Sequence, residues 1–476
     1  MYVQLLHSRL RSVIVDWCGL ARVTIEALPD VALLRIFDFY MDEIWIFEWY
    51  TLVHVCRKWR NVVFGSPRRL HLRLHCSTST PVSGETLGVW PLLPIVVWGD
   101  GHEIWGVDNI IAALEHTDRI CQLDLIDIPR SQLEDVLATM QQPFPALTHL
   151  QLWSKGETVS VVPASFLGGT APCLQSLNLD GIPFPGLPRL LVSATHLVDL
   201  YLRNIPHSGY ISPEEMATCL SALSKLETFE IGFGSPRCRP DRKSRTPPTP
   251  TPILLPALTE LRFKGVSDYL EDILARIDAP LLSKLGITLF YQLIFDTPQL
   301  THFINRTPKF MAHDEARVFF SDSGVWITIP QSFDGRLHLG ISCRQSLADW
   351  QLSALAQICS SSFPWAVVSA VERLFIQSGS WQLHWQEDIE FGQWLELLHP
   401  FSAVKDIYLS LELTPNIAPA LQDVVGGRVT GVLPALQTLF LEEPPPSGPL
   451  QETTGQFIPA RRHSSRRIAI SRWERM

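Results

Sequence analysis

The sequence predicts an α/β chain in which a small all-α module is followed by a solenoid of strand-helix repeats, with parallel strands on its concave face. Three observations predict it. The chain has 476 residues, 46% of them hydrophobic and 18% charged, so it exceeds one compact domain and can bury a large core. Two short amphipathic segments lie within residues 25–65. From residue 120 a Leu-x-x-Leu-x-Leu template then recurs, its first seven copies 23 to 32 residues apart, as in architectures where each unit buries its aliphatic face only against its neighbours.

Composition excludes several functions. The net charge of -9 gives no bulk attraction to nucleic acid or to an anionic membrane. The nine cysteines are scattered, with no C-x-x-C pair, and read as reduced core thiols rather than zinc ligands. Arg9, Arg11 and Asp16 interrupt the apolar residues at the N-terminus, which argues against a secretory signal. No apolar run reaches the roughly 18 residues of a membrane span. No glycine loop is followed by Lys-Ser/Thr, no G-x-G-x-x-G or G-x-S-x-G occurs, and His102-Glu103 has no second His at helical offset; His313-Asp314-Glu315-Ala316 has no phosphate loop to work with. The expectation is a protein of the cytoplasm or nucleus that is not an enzyme and carries no cofactor or metal.

In chain order, residues 1–24 form an N-terminal extension in which Leu5, Leu6, Leu10, Val13 and Ile14 fall near helical spacing. Pro29 suits a first helical turn and Asp30 complements the helix dipole. Leu33, Ile36, Phe37 and Tyr40 then share one face. A second helix is predicted with Leu52, Val55, Cys56, Trp59 and Val63 on one side and Arg57, Lys58, Arg60 and Asn61 on the other, ended by Gly65-Ser66-Pro67. Two such helices bury too little to stand alone. The module therefore needs a neighbour, which is either a partner protein or the adjoining domain of the same chain.

Leu28-Pro29-Asp30, Leu33-Leu34-Arg35-Ile36-Phe37 and Val55-Cys56-Arg57-Lys58-Trp59 resemble the F-box motif, in order and at compatible spacing. The resemblance implies docking on a Skp-type adaptor of a cullin-RING ubiquitin ligase through Leu28, Pro29, Leu33, Ile36, Phe37, Val55, Cys56 and Trp59. The link 38–51, with Trp45, Phe47, Trp49 and Tyr50, is richer in aromatics than the motif's usual turn. With Ser66-Pro67-Arg68-Arg69-Leu70 and Ser471-Arg472-Trp473-Glu474-Arg475, the chain is similar to fungal F-box proteins with irregular leucine-rich repeats. That implies a substrate receptor holding an unknown target protein.

After an apolar strand at Val89–Trp98, the repeat domain 66–443 places its templates at Ile120, Leu147, Leu174, Leu197, Leu226, Leu258 and Leu282. Helices are predicted between them, at Asp108–His116, Ser131–Met140 (a capping box of Ser131 with Glu134), Pro213–Leu223, Asp268–Ile277 and Pro298–Ile304. The Asn or Cys usual after the last template residue is absent, which predicts leucine-rich repeats of variable length. Residues 235–252, rich in Arg and Thr-Pro, read as a surface loop. Val325–Ile329 and Leu337–Ile341 alternate as strands, with Asp334-Gly335 turn chemistry between them. The template returns at Val371, Val404 and Leu436, and 444–476 reads as a solvated, mobile tail. His149, Gln151, Gln175, Asn178, Asp199 and Tyr201 would face outward from the strands and are the candidate substrate-binding residues.

Overall fold

The computed structural model describes residues 28–43, 50–66, 74–77, 93–100, 107–154, 161–237, 251–292, 294–310, 313–330, 336–343, 348–361, 365–379, 391–425, 431–442 and 468–473. The expected helix within 1–24, the link aromatics Trp45, Phe47 and Trp49, the loop core 238–250 and the Asp334-Gly335 turn lie outside the described residues. The chain divides into two compact units, Met1–Leu123 and Asp124–Met476.

In the first unit, α1 (Asp30–Glu43), α2 (Tyr50–Val53) and α3 (Arg57–Gly65) precede the parallel pair β1 (Leu74–Ser77) and β2 (Ile95–Asp100) and then α4 (Val107–Leu114). The Pro29 carbonyl accepts from the Ala32 and Leu33 amides at 3.0 and 3.1 Å, and Asp30 stands in the first turn, so α1 starts where its proline and dipole chemistry direct. The three helices bury Leu33, Phe37, Leu52, Val53, Trp59 and Val63 in one cluster, each burial contributing roughly 1.5–3 kcal/mol. Leu93 is buried in that same cluster and Leu74 packs against it. Thus the unit boundary falls well beyond residue 65, because the helices borrow apolar surface from the β1–β2 segment.

The single helix expected from Leu52 to Val63 is broken. Cys56 has an extended backbone (φ -159°, ψ 170°) and its Sγ accepts the Trp59 amide at 3.5 Å as the N-cap of α3. The break turns Val55 outward, 49% exposed; the helical spacing had placed it on the buried face. The predicted strand also starts later, at Ile95 directly after Pro94, consistent with proline preceding rather than joining a ladder.

The strand β3 (Ile120–Ile126) spans the boundary between the units. The second unit continues with α5 (Arg130–Thr139), β4 (His149–Trp153), β5 (Ser176–Asp180), α6 (Leu187–Ser193), β6 (Asp199–Ile205), α7 (Pro213–Ser221), β7 (Thr228–Phe233), β8 (Ile253–Leu254), β9 (Glu260–Gly265), α8 (Ser267–Leu274), β10 (Ile277–Asp278), β11 (Lys284–Phe290) and α9 (Pro298–Asn305). It ends with β12 (Glu315–Ser321), β13 (Gly324–Pro330), β14 (Arg336–Ser342), α10 (Ala348–Ser361), α11 (Trp365–Val368), β15 (Arg373–Ser378), α12 (Phe391–Leu398), β16 (Asp406–Leu409), α13 (Thr414–Val425), β17 (Thr438–Glu442) and β18 (Ala469–Trp473). Its main sheet runs β4-β5-β6-β7-β9-β11-β14-β13-β12-β15-β16-β17-β18. This is a leucine-rich-repeat-like solenoid with a long, largely parallel sheet.

The template explains the burial. Its aliphatics, such as Leu177 and Leu179 or Ile407 and Leu409, are buried, while the residue between them, Asn178 or Tyr408, is half-exposed on the opposite, open face. Backbone bonds just before the strands lock successive repeats: the Gln175 amide to Thr148 O, Val198 to Gln175, Glu227 to Val198, Thr259 to Glu227 and Ser283 to Thr259, all at 2.8–2.9 Å. Each repeat thus supplies the partners for the next one's main-chain polar groups.

Two further expectations are corrected, and the two strands expected in the irregular region are present and joined by a third. The capping box of Ser131 and Glu134 does not form: α5 begins one residue earlier, no side chain caps it, and Glu134 pairs with Arg130 at 2.7 Å. A box forms instead at α7, where Ser212 and Glu215 exchange bonds. The irregular region is a three-stranded meander in which β14 joins β11 in parallel, β13 is antiparallel to both neighbours, and β12 passes the parallel direction on to β15. Gly324, which opens β13 at φ 155°, lets β13 approach β14, since a Cβ there would collide with Ile341 O. Finally, 469–473 is not tail: β18 pairs in parallel with β17, and the Trp473 indole donates to Leu409 O at 3.2 Å.

Candidate functional site

Two surfaces, one in each unit, carry the residues singled out in the sequence. In the first unit, Lys58 Nζ donates to Leu28 O at 2.6 Å and lies 3.9 Å from Asp30, while Arg60 Nε donates to Val53 O at 3.0 Å. The Leu-Pro-Asp opening and the Cys-Arg-Lys-Trp-Arg segment are therefore clasped together. Of the eight candidate adaptor-binding residues, Leu33, Phe37 and Trp59 belong to the unit's own core, where the Trp59 ring meets Phe37 edge-on at 4.8 Å. These three are buried by the unit's own packing. Leu28, Ile36 and Cys56 are half-buried against that core, and Pro29 and Val55 are exposed. Exposed Val31 (62%) and Phe39 (67%) join them as solvent-facing apolar groups.

In the second unit the candidate residues of β4, β5 and β6 come together on the open face. Gln151, Asn178 and Tyr201 align across the three strands, and His149 and Asp199 flank Ser176 in a parallel row. The Tyr201 hydroxyl donates to Asp199 at 3.5 Å, and burial followed by the Asp199 charge raises its phenol pKa. Asn178 Oδ1 is buried with no hydrogen-bond partner among the described residues. Gln175 is the exception: it precedes β5, is exposed, and joins neither row.

Beside this cluster lies a groove of about 770 Å³, lined across β6, β7, β9, β11 and β14. Arg203, Arg262, Lys264, Lys284 and Arg336 face it against two carboxylates, Glu230 and Glu260. Five cations over two anions make a basic patch on a chain of net charge -9. Arg203 holds Glu230 through two bonds of 2.8 and 2.7 Å, which raises the guanidinium pKa further. Glu260 takes Arg262 at 2.5 Å and Lys284 at 3.7 Å. His338, in the floor, has its pKa pushed down to about 4 by burial and by the charges of Arg336 and Arg262, so it stays neutral; its Nδ1 is 3.0 Å from Thr328 Oγ1.

A third feature of the same face is an aromatic ladder over β15, β16 and β17. Phe375 and Tyr408 stack at 4.2 Å and Tyr408 and Phe440 at 4.4 Å, with Trp473 edge-on to Tyr408 at 5.6 Å. The Arg317 guanidinium covers Phe375 at 5.2 Å, a cation-π contact at the ladder's end. Reading the sequence for outward residues only in the second to fourth repeats missed both the groove and the ladder. The same template position, the residue between the last two aliphatics, would have found Arg262, Gly286, Phe375, Tyr408 and Phe440 as it found Asn178 and Tyr201.

Among the described residues no group of three or more His, Cys, Asp or Glu is placed to hold a metal ion, and no helix is long and apolar enough to cross a membrane. No family model and no curated protein matches the chain. Among solved structures, the leucine-rich repeat-containing protein LegL7 from Legionella pneumophila is similar at 14% identity, over 81% of this chain and 97% of that one, with a TM-score of 0.29. The fold assignment rests on strand order, register and the buried template.

Proposed function

We propose that this protein is a non-catalytic substrate receptor: its helical unit docks on a Skp-type adaptor of a cullin-RING ubiquitin ligase, and the open face of its repeat sheet holds a target protein. The observation that carries this reading is the clasp between the two halves of the F-box-like motif. Lys58 reaches back to the Leu28 carbonyl, and Pro29, Val31, Phe39 and Val55 are exposed, apolar side chains available to a docking partner. Such a receptor would raise rates by effective concentration, holding target and ubiquitin-charged enzyme together. Localisation in the cytoplasm or nucleus goes with that role.

A second reading is a stand-alone ligand-binding repeat protein capped by residues 28–66. It is favoured by Leu93, which enters the helical core and ties the module to the β1–β2 pair. Retention of the full chain on an immobilised Skp-type adaptor separates the two. The receptor reading expects retention of the wild type and its loss in Leu28→Ala/Pro29→Ala. No retention of the wild type, or equal retention of the variant, supports the capped scaffold.

A further inference from the structure

We infer that the basic groove binds an extended acidic peptide segment of a partner protein, its two acidic side chains four positions apart and so on one side of the segment, one on Lys264 and the other on Arg336. The inference deepens the reading of the open face as the target-binding surface and is independent of adaptor docking. Three features carry it.

The first is which charges are spent. Glu230 and Glu260 already occupy Arg203, Arg262 and Lys284. Lys264 and Arg336 have no ion pair among the described residues, although Arg317, Arg373 and Lys405 farther along the same sheet are each matched to a carboxylate at 2.6–2.7 Å. Unpaired cations over a depression, on an otherwise acidic chain, are complementary to an incoming anion.

The second is their separation. Lys264 is in register with Thr288, and Arg336 with Lys284, four residues earlier on the same strand β11. Lys264 is on β9, one strand to one side of β11, and Arg336 is on β14, one strand to the other. At about 3.3 Å per residue and 4.8 Å per strand, the two positions stand roughly 16 Å apart. One phosphate would need cations converging on it. Two single charges at this distance suit two carboxylates on one side of an extended segment, where every second residue faces the same way and an offset of four spans about 13 Å, the side chains reaching the rest.

The third is the floor. Gly286 lies between Arg262 and His338 in register and leaves the groove open. Its backbone does not require glycine: a Cβ would meet only the Arg262 side chain, at an ordinary 3.5 Å. Interior strand glycine costs stability relative to residues that pack on a sheet, so its benefit here is the space it leaves. His338 is neutral at physiological pH and presents a polar but uncharged wall.

The test uses the full chain and labelled synthetic peptides in a Ser/Thr background, read by fluorescence anisotropy. The peptides carry two glutamates four positions apart, two adjacent glutamates, one phosphoserine, or glutamines only. The spaced diacid should bind tightest and weaken as salt rises. Lys264→Glu and Arg336→Glu should each weaken it about tenfold. Gly286→Val should remove binding while leaving the thermal midpoint unchanged or higher. Equal binding of the glutamine peptide, or full binding by either charge reversal or by Gly286→Val, overturns the site. Tighter binding of the phosphoserine or adjacent-glutamate peptide overturns the two-point geometry. All three variants should be retained on the adaptor like the wild type, so failure here is distinct from failure of docking.

Discussion

Replacing Trp59 asks whether the tryptophan of the F-box-like segment holds the module together or touches a partner. It is 3% exposed and packs edge-on against Phe37 with ring centroids 4.8 Å apart. Trp59→Ala removes a buried aromatic, which costs about 3–5 kcal/mol, part of it an aromatic pair worth about 0.5–1.5 kcal/mol. Against a typical domain stability of about 5–15 kcal/mol, that loosens most of the helical unit. Trp59→Phe behaves differently. The indole Nε1 is buried without a hydrogen-bond partner among the described residues, so losing it relieves a desolvation cost of about 1–3 kcal/mol and offsets much of the lost volume; the net change should stay within about 1 kcal/mol. Native-state hydrogen exchange of the α1 and α3 amides on the full chain measures both. Slow exchange in Trp59→Ala combined with lost adaptor retention would refute this reasoning and make Trp59 a contact residue.

Two further predictions concern the open face. A double-mutant cycle of Phe375→Leu and Tyr408→Leu should return a coupling of about 1 kcal/mol in urea unfolding of the second unit, since the rings stack at 4.2 Å; a coupling near zero would mean the ladder is only an accident of register. His338 should titrate near pH 4 by NMR of its ring carbons. Because its folded pKa lies below the ordinary 6.5, the stability it contributes is fully present above about pH 6.5 and is lost as pH falls through 4. A midpoint near 6.5 would contradict its burial beside two arginines.

The aliphatic template was legible because its period of two on a strand and its return after each helix reflect one cause, burial of a single sheet face. Leu123, Leu150, Leu177, Leu200, Phe229, Leu261, Leu285, Leu374, Ile407 and Leu439 are all buried. The hidden features depend on partners distant in sequence. Arg336 reaches the groove only because β14, and not β12, is placed beside β11, and no local pattern encodes that inversion. Helical spacing puts Cys56 on the buried face; its role as a cap comes from an extended backbone that spacing does not report. Ala469–Trp473 carries too little alternation to declare itself a strand, and only pairing with β17 makes it one.

Under the proposed function the two units meet two different partners, an adaptor at the helical unit and a target at the open face of the sheet. Hydrogen exchange of the full chain with and without a Skp-type adaptor tests it most directly. Added protection is predicted within residues 28–43 and 57–65, and none on β9, β11 or β14. No added protection anywhere, or protection confined to the open face of the sheet, would contradict it.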